Sequence, residues 1–68
     1  MDNETLQQGI RRFLKEFGIT AQQAIEDAVA AGLRAGTIDG TMPVHARARL
    51  EVPELGTFLD IERDLPLE

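Results

Sequence analysis

The fold is decided by one stretch of the sequence, VHARARLEV at residues 44–52, PELG at 53–56 and TFLDIERDL at 57–65. Apolar and polar side chains alternate along the first run, which is typical of a strand with one face buried. A proline and a glycine bound the short turn, and the last run returns with an apolar alternation of its own. The sequence therefore predicts an antiparallel β-hairpin with strands at about 43–52 and 57–65.

The four-residue turn also predicts the register of this hairpin, because pairing Val52 with Thr57 fixes every pair further out. On one face the register joins apolar side chains in the pairs Leu50–Leu59, Ala48–Ile61 and Val44–Leu65. On the other face it joins groups of opposite charge in the pairs Arg49–Asp60, Arg47–Glu62 and His45–Asp64. Two residues stand out: Arg63 falls on the apolar face opposite Ala46, and Phe58 falls on the polar face opposite Glu51.

Two amphipathic helices are predicted before the hairpin, at about 3–17 and 20–35. The first starts at Asn3 as N-cap and carries an apolar stripe at helical spacing, formed by Leu6, Ile10, Phe13, Leu14 and Phe17. Gly18 is placed to end this helix in the left-handed conformation, and TAQQ at 20–23 matches a capping box that starts the next. The second helix has a core stripe of Ile25, Ala28, Val29, Gly32 and Leu33 and stops at Gly36.

Length and cysteine content limit the number of domains and the ways in which the fold can be stabilised. We expect one α+β domain over 1–68, a flexible connection at 36–43 and a frayed tail at 66–68. A chain of this size buries only about 60% of the surface that it exposes when unfolded. Small scaffolds therefore often need disulfides, a metal or a second subunit, and this chain has no cysteine. Oligomerisation is the remaining way to stabilise it.

Charge and hydropathy limit the kinds of partner and the cellular compartments that fit this sequence. The net charge of −5 argues against non-specific nucleic-acid binding. The longest apolar run, residues 28–33, is far shorter than the roughly 20 residues that span a membrane. The acidic N-terminus has no signal-peptide features, and the lack of cysteine fits a reducing cytosol. We therefore expect a cytoplasmic protein with no membrane partner.

No pattern in the sequence indicates catalysis or a cofactor. His45 is the only histidine, and the chain has neither serine nor cysteine to serve as an activated nucleophile. The alternating row Asp60, Glu62 and Asp64 faces arginines on a strand, which indicates a charge ladder rather than a calcium loop. The glycines at 36 and 40 are not followed by the lysine of a phosphate-binding loop. We expect no enzyme, no metal and no cofactor, and a small-molecule ligand is not identified.

The hairpin is the predicted contact surface. A two-stranded sheet leaves two unpaired edges, which favour association with another chain. We therefore expect a homodimer, formed by strand-edge pairing or by exchange of the helices and the hairpin between copies. Leu55 and Phe58 are predicted to be exposed near these edges and to form a partner contact together with Arg47 and Arg49. A turn that differs by one residue would instead turn Phe58 inward.

These features are compatible with two alternative functions. The first is a small protein-interaction module that acts as a homodimer. The alternative is a winged-helix-like nucleic-acid binder, which the order of two helices and a hairpin and the basic group Arg11, Arg12 and Lys15 favour. The second helix argues against it, because it offers Glu26 and Asp27 where a recognition helix needs donors for phosphates and base edges.

Several runs resemble a family of small uncharacterised bacterial domains. They are IRRFLK at 10–15, Gly18-Ile-Thr20, IEDAV at 25–29 and the step Met42-Pro43 into an alternating strand. In such domains a helix, a Gly-Ile-Thr corner, a second helix and a hairpin follow one another over about 65–70 residues. The resemblance implies a bacterial cytosolic protein and no assigned activity, and it assigns no role to any residue.

Overall fold

One α-helix and one β-hairpin make up the protein in a computed structural model that describes residues 1–68. The elements are α1 (Asn3–Ala35), β1 (Val44–Val52), a 3₁₀ turn (Pro53–Leu55) and β2 (Thr57–Leu65). The α+β class is confirmed, but the prediction of two helices is wrong. The chain divides into two units, Met1–Thr37 and Ile38–Glu68.

The predicted corner at Gly18 does not form, and α1 runs through it for 33 residues, a length of about 50 Å. Gly18 does not have a positive φ, so it does not end a helix in the left-handed conformation. A break would leave several backbone donors and acceptors without helical partners at each new end. Keeping glycine inside the helix costs only about 1 kcal/mol relative to alanine, so continuation is favoured.

Polar side chains after Gly18 also bond along the helix rather than around a cap. Gln22 donates to Glu26 over 3.1 Å, and Gln23 donates to Asp27 over 3.0 Å. Both are i,i+4 pairs of the kind that support a helix interior. The glutamine expected to complete a capping box with Thr20 therefore stabilises the continuous helix instead.

The ends of α1 are both capped. Asp2, one residue before the predicted cap at Asn3, accepts from the backbone N–H groups of Glu4 and Thr5 and from the Thr5 hydroxyl at 2.8 Å. At the other end Gly36 takes φ 77°, and the N–H of Thr37 donates to the carbonyl of Gly32 over 2.9 Å. This left-handed glycine ends α1 at the predicted position.

The hairpin has the predicted register at every pair, from Val52–Thr57 at the turn to Val44–Leu65 at the open end. β2 has its predicted bounds, whereas β1 starts at Val44 rather than at residue 43. Pro43 lies outside because it has no N–H for the strand ladder. Gly56 closes the turn with φ 62° and donates its N–H to the carbonyl of Pro53 over 3.1 Å.

No side chain in the protein is buried. In β1 the residues on the apolar face are half-buried and alternate with exposed ones. Every residue of β2 except Leu65 is exposed. α1 likewise has no buried residue. Neither α1 nor any other segment combines the length and apolar character that a membrane-spanning helix needs.

Candidate interaction surface

The polar face of the hairpin is a ladder of cross-strand ion pairs. Arg49 binds Asp60 with two nitrogens, at 2.8 Å from Nε to Oδ1 and 3.0 Å from Nη2 to Oδ2. Arg47 reaches Glu62 Oε1 from Nη2 at 3.2 Å. The hydrogen bonds from Arg49 lower the pKa of Asp60, since they favour its charged form. These groups satisfy one another as the register predicts.

His45 extends this ladder to the open end of the hairpin. Its Nδ1 lies 3.0 Å from Asp64 Oδ1, and its Nε2 lies 2.8 Å from Glu62 Oε1. Hydrogen bonding to Asp64, and then to Glu62, raises the pKa of His45 above its ordinary value of 6.5. Both ring nitrogens of His45 are thus engaged by carboxylates. No three His, Cys, Asp or Glu side chains are arranged to hold a metal ion.

Two of the four predicted contact residues are brought together by the strands. The guanidinium carbon of Arg49 lies 5.1 Å from the centre of the Phe58 ring, within the range of a cation–π interaction. Phe58 pairs with Glu51 on the polar face and is 63% exposed, so the alternative of an inward Phe58 is wrong. Arg47 lies further along the same face, next to Glu62.

Leu55, the fourth predicted contact residue, lies in the 3₁₀ turn and is 75% exposed. It marks the closed end of the hairpin, where Thr57 donates its hydroxyl to the Leu55 carbonyl over 3.4 Å. The closed end therefore presents two exposed apolar groups, Leu55 and Phe58, with one arginine beside the ring.

The opposite face of the hairpin is apolar and open. Leu59 and Ile61 are each about half exposed, opposite half-buried Leu50 and Ala48. Arg63 lies on this face, as its register position requires, and donates from Nη1 to the backbone carbonyl of Glu62 over 2.6 Å. The sequence pattern placed these apolar side chains in a core, but they remain accessible to another surface.

A further exposed apolar surface lies on α1, along the stripe that the sequence pattern predicted. Its bulky side chains are 41–54% exposed and form the N-terminal stripe of Leu6, Ile10, Phe13, Leu14 and Phe17. The sequence contained a signal for its extent, because apolar positions recur at 11-residue spacing through the expected corner. Leu6, Phe17 and Ala28 form one such series, and Ile10, Ala21 and Gly32 form another.

An 11-residue spacing is close to three turns of α-helix, so these positions stay in line along a single helix. The stripe thus continues from bulky to small residues without a break, and we call the second part the small-residue half, Ala21, Ala24, Ala28, Ala31, Gly32 and Ala35. Arg11, Arg12 and Lys15, the other notable group of the helix, form no salt bridge within the chain.

Comparison with known families identifies a match over the whole chain. The model of DUF6494, a family of unknown function, matches residues 1–68. The chain belongs to this family. DUF6494 has no assigned activity, so membership confirms the resemblance to uncharacterised domains and transfers no catalytic or binding role to any residue. No curated protein and no solved structure has significant similarity to this DUF6494 chain.

Proposed function

We propose that this DUF6494 protein is a small interaction module without catalytic activity that acts as a homodimer. The observation that carries the proposal is that no side chain of the 68-residue chain is buried, while many of its large apolar side chains are exposed on α1 and on the hairpin. Large exposed apolar patches on small proteins mark interaction sites. A chain that buries so little alone gains most from a second subunit.

The hairpin supports the same proposal in two ways. β1 and β2 form a sheet of only two strands, so each strand has an unpaired edge on which a further strand can add. The prolines at 43, 53 and 66 all lie outside the strands and leave these edges uninterrupted. At the closed end Leu55 and Phe58 supply apolar anchors beside an arginine, a combination enriched at protein interfaces. We assign this end to contact with a partner protein.

A non-enzymatic role is supported by the side chains that could take part in catalysis, because they are engaged in hydrogen bonds and ion pairs with one another. His45 holds two carboxylates, and both hairpin arginines of the polar face are occupied by acids. A general base needs a free nitrogen within reach of the proton that it removes. The cysteine-free composition is compatible with the cytosol, which we propose as the compartment of this protein.

Nucleic-acid binding is the alternative function. The observation that favours it is the group Arg11, Arg12 and Lys15, which has no acidic partner in the chain. The winged-helix argument no longer supports it, because that motif needs two helices where α1 is one. A gel-shift titration at several salt concentrations tests it, since binding through phosphates weakens steeply as salt rises.

Light scattering after size exclusion tests the homodimer. We expect a mass of twice the 7.5 kDa chain at high micromolar concentration and a fall toward one chain on dilution. The salt concentration should change this mass little if apolar burial drives association. A mass of one chain at every concentration would contradict the proposal.

A further inference from the structure

The apolar stripe of α1 has two halves of different shape. The N-terminal half is bulky, with two phenylalanines among its five residues, and none of these side chains is more than about 60% covered. The small-residue half begins at Ala21 and lies on the same line of the helix. A bulky ridge and a flat strip of similar length therefore lie end to end on one helix.

These two halves fit each other when two copies of α1 lie antiparallel. Aligning Phe17 with Ala24 also brings Phe13 level with Ala28, and Ile10 level with Ala31. Each of these three bulky side chains then meets an alanine, where little side chain intervenes, which allows interior-like packing density. A parallel pair would oppose bulky side chains to one another and leave a gap between the two alanine strips.

Charge favours the same direction. The N-terminal part of α1, residues 3–19, has three bases and two acids, and the remainder, residues 20–35, has one base and two acids. An antiparallel pair therefore places a part of net +1 along a part of net −1 at each end. A parallel pair places like against like. The effect is modest and screened by salt, but it acts in the same sense as the fit of the side chains.

We propose that α1 binds α1 of a second copy in antiparallel orientation, with the bulky half of each stripe packed on the small-residue half of the other. This proposal rests on the homodimer proposed above and names its interface. The two-fold axis passes next to Ala21, where the same residue of the two copies meets. Because the stripe repeats every 11 residues, the two helices should wind around each other with a slight right-handed twist.

Single cysteines test this arrangement, since the chain has no thiol of its own. Under a mild oxidant Ala21→Cys should form a disulfide-linked dimer, because a disulfide needs Cα atoms within about 7 Å. Ala28→Cys should not cross-link, since its two copies would lie about 20 Å apart along the axis. Ala30→Cys, on the opposite side of the helix, is the control for random collision.

The outcomes separate the inference from the proposal on which it rests. Cross-linking at Ala21 alone supports the antiparallel pair. Cross-linking at both Ala21 and Ala28 indicates a parallel pair and overturns it, as does equal cross-linking of all three variants. A dimeric mass with no cross-link at Ala21 places the interface elsewhere, such as the strand edges. A monomeric mass overturns the homodimer itself.

A second pair of variants measures the fit of the halves without a thiol. Ala28→Leu fills the small-residue half, whereas Ala30→Leu adds the same side chain on the other side, and both residues suit a helix. Sedimentation equilibrium should give about tenfold or greater weakening of self-association for Ala28→Leu and none for Ala30→Leu. Unchanged or tighter association of Ala28→Leu would overturn the proposed packing.

Discussion

Replacing Gly18 with alanine distinguishes one continuous helix from two helices joined at a corner. In the structure Gly18 is an interior residue of α1, and a Cβ added there meets no atom within 4 Å. The substitution therefore changes neither packing nor hydrogen bonds, and only the helix propensity differs. At a corner with left-handed glycine, the same methyl group would instead strain the backbone.

The continuous helix and the corner predict opposite signs for the change in the free energy of unfolding. Within a helix alanine is more favourable than glycine by about 0.8–1.0 kcal/mol, so the free energy of unfolding should rise. For a protein of this size that corresponds to roughly 4–8 °C in melting temperature. In the left-handed conformation alanine would cost about 1–2 kcal/mol and lower the melting temperature by at least as much.

The change in melting temperature is measured by thermal unfolding, monitored by circular dichroism at one fixed protein concentration. Gly9→Ala is the matched control, because Gly9 is also inside α1 with open space around its Cβ position, and it should stabilise equally. Gly36→Ala is the opposite control, because φ is 77° there, and it should destabilise. If Gly18→Ala lowers the melting temperature as Gly36→Ala does, the continuous helix is wrong.

Two further outcomes concern the hairpin. Because Asp64 and Glu62 raise the pKa of His45, the folded state favours imidazolium, and this stabilisation is full below about pH 6.5 and is lost as pH rises through the raised pKa. Melting temperature should therefore fall as pH rises above about 6.5, and a His45→Gln variant with the same pH dependence would contradict this. Phe58→Ser should abolish capture of a partner protein by the tagged chain, whereas Met42→Ser, at a similarly exposed apolar site, should not. Equal effects of the two substitutions would exclude a specific role for Phe58.

The hairpin could be predicted almost completely because several signals agree on one register. These signals are the alternation of β1, the proline and glycine of the turn, and the three pairs of opposite charge. A slip of one residue between the strands would break the apolar pairs and the charged pairs at once. Even the exceptions, Phe58 on the polar face and Arg63 on the apolar one, follow from this register. Only the first residue of β1 was misplaced, by one position.

The helical region was predicted with its outer bounds correct and its middle wrong. Gly18 and the TAQQ run are local signals, and each is compatible with a helix interior as well as with a cap. The deciding signal is longer in range, since the stripe stays in phase from Leu6 to Gly32. A pattern of nearly thirty residues therefore outweighs a motif of four.

The candidate surface was predicted only in part, because burial is a property of tertiary contacts. Periodicity identifies which side chains share a face of α1, but it does not tell whether this chain or another covers them. The pattern that indicated a core on the helix describes an exposed stripe in the structure. For the hairpin, the exposure of Leu55 and Phe58 could be inferred from their place in the turn and in the register.

The absence of any buried side chain has a consequence for how this protein persists in a cell. A protein with a core of its own has a stability that does not depend on how many copies are made. In the proposed homodimer the free energy of burial comes from the second copy, and mass action then ties stability to abundance. Under that proposal, unpaired copies would be the first to meet proteases, and the amount of protein that persists would depend on how much of it is paired.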